Sequence, residues 1–451
     1  MKSLALSFLA LGLAGPPLAQ ADKAGPKGLA NLENIVVIYL ENHSFDNLYG
    51  LFPGADGLAQ APRDQTVQTD RQGRPYTHLP RVMTTLTKPP QPDARFPDKL
   101  PNKPFEISQF VPLHEKIGDP VHRFFQHQEQ MHGGRNDRFA AVSNVGGLVM
   151  GYYDGHKLPL WPWAKRYTLA DRFFAAAHGG SFLNHMWLAC ACTPRYPDAP
   201  GESRIALNEK GEVVKDGSVT ADGYAVNTIY SAQSPHSPKA TGPGMTLPPL
   251  TEPTLGDRLS DKHVSWAWYA AGWDDALAGR ADPSYQYHHQ PYAYFRRYAE
   301  NTPDRAAHLK DETDFLAAMD RGQLPAVSFY KPLGRYNEHP GDTDLFAGET
   351  RTAEILTRLE QSPQWGGMLV IVTYDEYGGF WDHVPPPKGD RWGPATRVPT
   401  LLISPFTLGG RVDHTTYDTT SILRLIEERF GLAPLGERDA KANSLSATLR
   451  F

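Results

Sequence analysis

Short apolar runs of strand length recur along the whole chain: Ile35–Leu40, Val264–Tyr269, Ala326–Tyr330, Leu369–Tyr374 and Pro399–Ile403. Between them lie amphipathic stretches such as "GETRTAEILTRLEQS" (Gly348–Ser362) and "TSILRLIEERFG" (Thr420–Gly431), whose apolar residues fall at helical spacing. Continuous apolar runs fit strands buried on both faces, and strands alternating with helices build parallel sheets. The pattern predicts an α/β fold with a mostly parallel central sheet and helices on both faces. Length alone suggests two or three domains, but the runs are spread from end to end. One large domain over residues 22–451 is therefore expected, with loop insertions near 51–104 and 194–253. Within the second insertion, "IALNEKGEVVKDGS" predicts an exposed hairpin turning at Lys210-Gly211. No repeat at a solenoid period is present.

The chain opens "MKSLALSFLALGLAGPPLAQA", a lysine, a short apolar stretch and a small-residue cleavage site. That pattern predicts a signal peptide over residues 1–21 and a periplasmic or secreted product. No later segment has the uninterrupted apolar length that spanning requires, so no stable membrane insertion is expected. A net charge of −5 without Lys/Arg blocks gives no case for nucleic acid. The 40% hydrophobic residues suffice for a large core. The two cysteines, Cys190 and Cys192 in "LACACTP", are expected to be buried free thiols, because a Cys-x-Cys ring is unusual. Nothing here fixes the oligomeric state.

Two of the apolar runs stop on acids. "IVVIYLENHSFDNLYG" passes into Glu41-Asn42, and "LVIVTYDE" ends on Asp375-Glu376. In open α/β sheets ligands bind beyond the carboxyl ends of strands. Carboxylates gathered there repel unless a cation lies between them. An all-oxygen donor set suits a hard divalent ion, Ca²⁺, Mg²⁺ or Mn²⁺ ahead of Zn²⁺. In "LADRFFAAAHGGSFLNHMWLACA", Ser181 follows a Gly-Gly turn and opens a helix. Unpaired amides at that position favour an anion or an alkoxide, although a serine there also serves as an ordinary N-cap. Its surroundings are not those of the Gly-x-Ser-x-Gly elbow. Among 17 histidines, the tandem His288-His289 in "YQYHHQPYAYF" and the loop residue His339 in "GRYNEHPGD" stand out.

Taken together, "ENHSFDNLYG", "DPVHRFFQHQEQMHGGRNDRF", "GGSFLNHMWLACACTP", "YHHQPYAYF", "NEHPGD" and "YDEYGGFWDHVPPP" resemble bacterial acid phosphatases and phosphocholine-type phospholipases C, a phosphoesterase family of the alkaline-phosphatase-like superfamily. The family typically reads Arg where this chain has His43. The resemblance implies an alkaline-phosphatase-like fold and a metal site on Glu41, Asn42, Ser181, Asp375 and Glu376. It implies Ser181 as nucleophile, and substrate contacts from Asn42, His122, His288, His289 and His339. His383, in "DHVPPP", is placed either on the substrate or behind Asp375-Glu376.

On this footing the expected activity is a metal-dependent acid phosphatase that hydrolyses small phosphomonoesters through a phosphoserine. A cation touching Ser181 would lower its hydroxyl pKa, and His288 or His339 would protonate the leaving oxygen. Protonated histidines would give an acidic optimum. The nearest rival is a phospholipase C acting on phosphatidylcholine or sphingomyelin. Such relatives as a rule carry further C-terminal domains and often a twin-Arg signal, and neither shows here. A binding protein that lost the chemistry is opposed by the intact Ser181 and acid pairs. A sulfatase is opposed by the Phe-Leu-Asn that follows Ser181.

Overall fold

The structure, a computed structural model, describes residues 28–407 and 409–451. The expected leader at 1–21 lies outside the described residues. Among the described residues no helix is long and apolar enough to cross a membrane.

Eight strands form the main sheet: β1 (Asn34–Leu40), β2 (Thr168–Ala170), β3 (Trp266–Ala270), β4 (Leu309–Lys310), β5 (Val327–Lys331), β6 (Met368–Tyr374), β7 (Thr400–Ile403) and β8 (Arg411–Asp413). Their order is β4-β3-β5-β1-β6-β7-β2-β8. Every strand but β7 runs the same way. The expected mostly parallel α/β sheet is therefore present. β1 and β6, at its centre, are buried at every residue, as continuous apolar runs require.

The run at Pro399–Ile403 differs from expectation in direction. It becomes β7, antiparallel to β6, because the chain leaving β6 stays at the same end of the sheet without a crossover helix. The two- and three-residue strands β2, β4 and β8 carry too little sequence to show a period. The hairpin expected at Lys210-Gly211 forms, pairing Ala206–Leu207 with Val213–Lys215 in antiparallel register.

Four helices matter for the site: α1 (Phe124–Met131), α2 (Ser181–Cys190), α3 (Leu345–Glu360) and α4 (Thr419–Phe430). α3 begins three residues before the expected Gly348 because Asp344 caps it, its side chain accepting from the Ala347 amide at 2.9 Å. α4 is capped by Asp418 and ends at Gly431 with φ 62°, the left-handed turn that favours glycine.

The cysteine expectation is overturned. Ala191, at the C-terminus of α2, takes φ 47°. The Cα atoms of Cys190 and Cys192 lie 5.1 Å apart and the two are disulfide-bonded, a separation within the range a disulfide needs. Closing so short a loop removes little chain entropy, so the bond contributes about 1–2 kcal/mol. Converting both cysteines to alanine is expected to lower Tm by only a few degrees while leaving activity intact, which differential scanning calorimetry beside a rate assay would check.

Candidate active site

The site is assembled by the register of two neighbouring strands. Leu40 of β1 pairs with Tyr374 of β6, so Glu41-Asn42 and Asp375-Glu376 leave the sheet side by side. The Asp375 amide donates to the Leu40 carbonyl at 3.0 Å. Asn42 takes φ 67°, which turns its amide onto Asp375 Oδ1 at 3.1 Å. The same oxygen accepts the Glu376 amide at 2.7 Å. Gly378 makes the tight return possible: a Cβ there would lie 2.0 Å from the Asn42 carbonyl oxygen.

Ser181 enters from above this pair as the first residue of α2. Gly180, not Ser181, occupies the N-cap position, and no side chain caps the helix. The ordinary capping reading of Ser181 thus does not hold. The turn is held by Asn184, which accepts from the Ala177 amide at 2.9 Å, and by His127, whose Nδ1 accepts from the Gly179 amide at 3.0 Å. The freed Ser181 hydroxyl donates to Glu41 Oε2 at 2.9 Å.

The Asn42 amide shows what this geometry lacks. Its Oδ1 lies 3.4 Å from Ser181 Oγ, and beside Glu41 Oε2 and Glu376 Oε1 it faces acceptors only. Turned over, the amide would donate to Glu376 Oε1 at 2.8 Å and Glu41 Oε2 at 3.1 Å while accepting from His339 Nε2 at 2.9 Å. A cation among those oxygens reconciles the first orientation; its absence calls for the second. Asp375 Oδ2 is also buried without a hydrogen-bond partner. These residues therefore fit a hard divalent ion.

The electrostatics agree. Burial, then the Glu41 charge, push Asp375 up to about 8. Burial and Asp375 raise Glu376 well above the carboxylate range. Burial would raise Glu41 too, but the ammonium of Lys331 and the imidazole of His289 outweigh it and hold Glu41 well below.

Over Ser181 opens a pocket of about 290 Å³, its walls charged and polar, with imidazoles from His122, His288, His289 and His339. A larger cavity, about 710 Å³, lies elsewhere, beside Asp390 and Arg438, and contains none of these residues. All nine site residues expected from the sequence thus come together.

The histidines differ in charge. Burial holds His122, His288 and His289 below the ordinary value, with His289 at about 4. Burial would lower His339 as well, but Asp119, Glu41 and Asp342 raise it to about 9. His339 follows Glu338, at φ 76°, whose carboxylate accepts from Tyr374 at 2.6 Å. His43 Nε2 lies 3.0 Å from the Glu338 carbonyl, so the His43 departure sits behind the His339 loop rather than among the acid pairs.

His383 lies outside the pocket. Its Nδ1 is 2.6 Å from Asp46 Oδ2, and Arg397, fully buried, donates to Asp382 at 2.9 Å and Asp46 at 3.2 Å. This network, with Ser44 Oγ donating to the Trp381 carbonyl at 2.8 Å, clamps together the two segments that follow the acid pairs.

Sequence reasoning missed Lys331, His185, Asp119 and Asp342. Lys331 closes the run "AVSFYK" as Glu41 closes its own, a signal of the same kind. His185 stands four residues after Ser181 on α2, hence on the same helix face.

The profile of the Phosphoesterase family matches residues 32–433. Phospholipase C B of Mycobacterium tuberculosis is 26% identical, covering 98% of this chain and 82% of its own length. Non-hemolytic phospholipase C of Pseudomonas aeruginosa is 24% identical over 90% of this chain and 54% of its own length. Among solved structures, a protein in the alkaline phosphatase superfamily from Vibrio parahaemolyticus aligns with TM-score 0.35 at 10% identity, covering 73% of this chain and 74% of its own.

Proposed function

The chain belongs to the Phosphoesterase family and is a phosphoric ester hydrolase, and we propose that it acts on small phosphomonoesters through a phosphoserine on Ser181. The observation that carries this reading is the Ser181 hydroxyl, freed from capping and donating to Glu41 Oε2, with Asp375 Oδ2 buried and unpartnered in the neighbouring acid pair. We assign Glu41, Asn42, Ser181, Asp375 and Glu376 to a divalent ion, Ca²⁺, Mg²⁺ or Mn²⁺ by the hardness of the donors. Such an ion, when bound, supplies Lewis acidity at the serine and the phosphoryl oxygens.

The chain's own residues do the rest. Glu41 Oε2 receives the hydroxyl hydrogen bond and orients Oγ toward the pocket. His122, His288 and His289, neutral at pH 7, line the pocket as hydrogen-bonding partners for phosphoryl oxygens. His339 holds a proton through neutral pH and is assigned as the acid that protonates the leaving oxygen. The acidic optimum expected from several imidazoliums is not what these surroundings favour, since burial opposes a proton on three of them and His339 keeps its own past neutral pH. A general acid works below its pKa and fails as pH rises through it. With a cation nearby the His339 value falls, so kcat/KM should decline above a pKa of at most about 9. The His339→Gln variant should be slower and lose that alkaline limb, read from pH–rate profiles.

The polar pocket, about 290 Å³, supports a small polar ester. The names of the relatives support a second reading, phospholipase C. The test is a rate comparison on an aryl phosphomonoester and on dispersed phosphatidylcholine, with and without chelator. Faster turnover of the monoester, abolished by chelator, is expected. Turnover confined to the lipid would replace this reading with phospholipase C. The Cys190–Cys192 bond supports placing the enzyme in an oxidising compartment, periplasmic or extracellular.

A further inference from the structure

Glu41 turns its two oxygens in different directions. Oε2 meets Ser181 and the Asn42 amide. Oε1 faces a second cluster, where oxygen and ring nitrogen atoms of Glu41, His185 and His289 lie within 4.8 Å of one another. All three side chains are buried. His185 sets its Nδ1 on the Ser181 carbonyl at 2.7 Å, which leaves Nε2 as an acceptor, buried and without a hydrogen-bond partner. Fixing one ring nitrogen on a carbonyl so that the other is free is how ligating histidines are oriented. His289 Nε2 is 3.0 Å from Glu41 Oε1, so that ring already faces the carboxylate oxygen of the cluster. One carboxylate and two imidazoles form a donor set that divalent metals accept. A carboxylate with one oxygen toward each of two cation positions suits a two-metal centre.

The second position already holds a positive charge. Lys331 reaches in from the end of β5, fully buried, and its Nζ is in contact with the same Glu41 Oε1. Its ammonium lies 5.2 Å from the Tyr39 ring centroid and 3.5 Å from the Leu40 carbonyl oxygen. We infer that Lys331 is a built-in cation standing where a second divalent ion would otherwise bind, so that this site takes one metal ion and not two. The three carboxylates Glu41, Asp375 and Glu376 less one ammonium leave two negative charges, which one divalent ion balances. A lysine cannot be chelated or exchanged, so one of the three positive charges that balance the carboxylates is fixed by the sequence. The inference rests on the reading of Glu41 as a cation ligand.

The test is metal stoichiometry of the full chain, by elemental analysis after equilibration with excess Mn²⁺ or Zn²⁺ and gel filtration. Wild type should retain one ion per chain and Lys331→Ala two, the second lost again in Lys331→Ala/His289→Ala. One ion in Lys331→Ala, or two in wild type, would overturn the role of Lys331 alone. No ion in wild type would overturn the metal centre itself and the inference with it. Should Lys331→Ala not fold, Lys331→Met keeps the apolar stem and removes only the charge. Its first ion should then bind about tenfold or more tightly than in wild type by titration calorimetry, because a repelling positive charge has gone. Unchanged or weaker binding would refute the inference.

Discussion

Replacing Ser181 by alanine is expected to lower kcat on an aryl phosphomonoester by about a thousandfold or more, the scale on which nucleophiles are lost, with KM little changed. The reason is local. The first residue of α2 is uncapped, its hydroxyl is committed to Glu41 Oε2, and the turn before it is held by Asn184 and His127 instead. Removing Oγ therefore removes the attacking atom without loosening the helix. Rapid-quench mass spectrometry should find phosphate on Ser181 in wild type and none in the variant. A loss below tenfold, with phosphate still trapped on the chain, would reject Ser181 as nucleophile.

Asp375→Asn should fall nearly as far in activity and, unlike Ser181→Ala, should lose its bound metal. Asp375 Oδ1 can be replaced by an amide oxygen that still accepts the Asn42 and Glu376 amides. The cost falls on the other oxygen, where an NH₂ donor would take the place of buried, unpartnered Oδ2. Stability should move the opposite way. Asp375 is raised to about 8 in the metal-free fold, so the folded state keeps a proton that the unfolded chain releases near pH 4. Metal-free wild type therefore loses stability as pH rises from about 4 to about 8, and the amide variant is spared that loss. Metal-free Asp375→Asn should melt above metal-free wild type at pH 8 and match it near pH 4. Equal metal content in the two proteins would remove Asp375 from the ligand set.

The parts of the molecule that were legible in sequence are those where one residue type is forced by burial or by charge. The central strands β1, β5 and β6 are buried at every residue and mostly apolar because both faces are covered, and Glu41 and Asp375 interrupt that pattern visibly. Direction is not carried by composition, which is why β7 reads as one more parallel strand until the route of the preceding loop is known. Cys190 and Cys192 could not be paired without the left-handed turn at Ala191, a backbone event the flanking sequence does not announce. His122, His288 and His289 were legible as pocket residues, but their charge depends on burial by segments far away in the chain. His383 resolves into a clamp only once Arg397 and Asp46 are seen beside it.

The register that sets Leu40 beside Tyr374 has a consequence in time as well as in space. The Asn42 amide and the carboxylate that receives it are 333 residues apart in the chain, and a helix from the middle of the sequence brings the serine. A chain that stops short of Asp375 lacks the second acid pair however many of the other residues it carries, and no local turn can rehearse the pairing. The acid pairs therefore meet only once β1 and β6 have paired, late in the formation of the sheet rather than early.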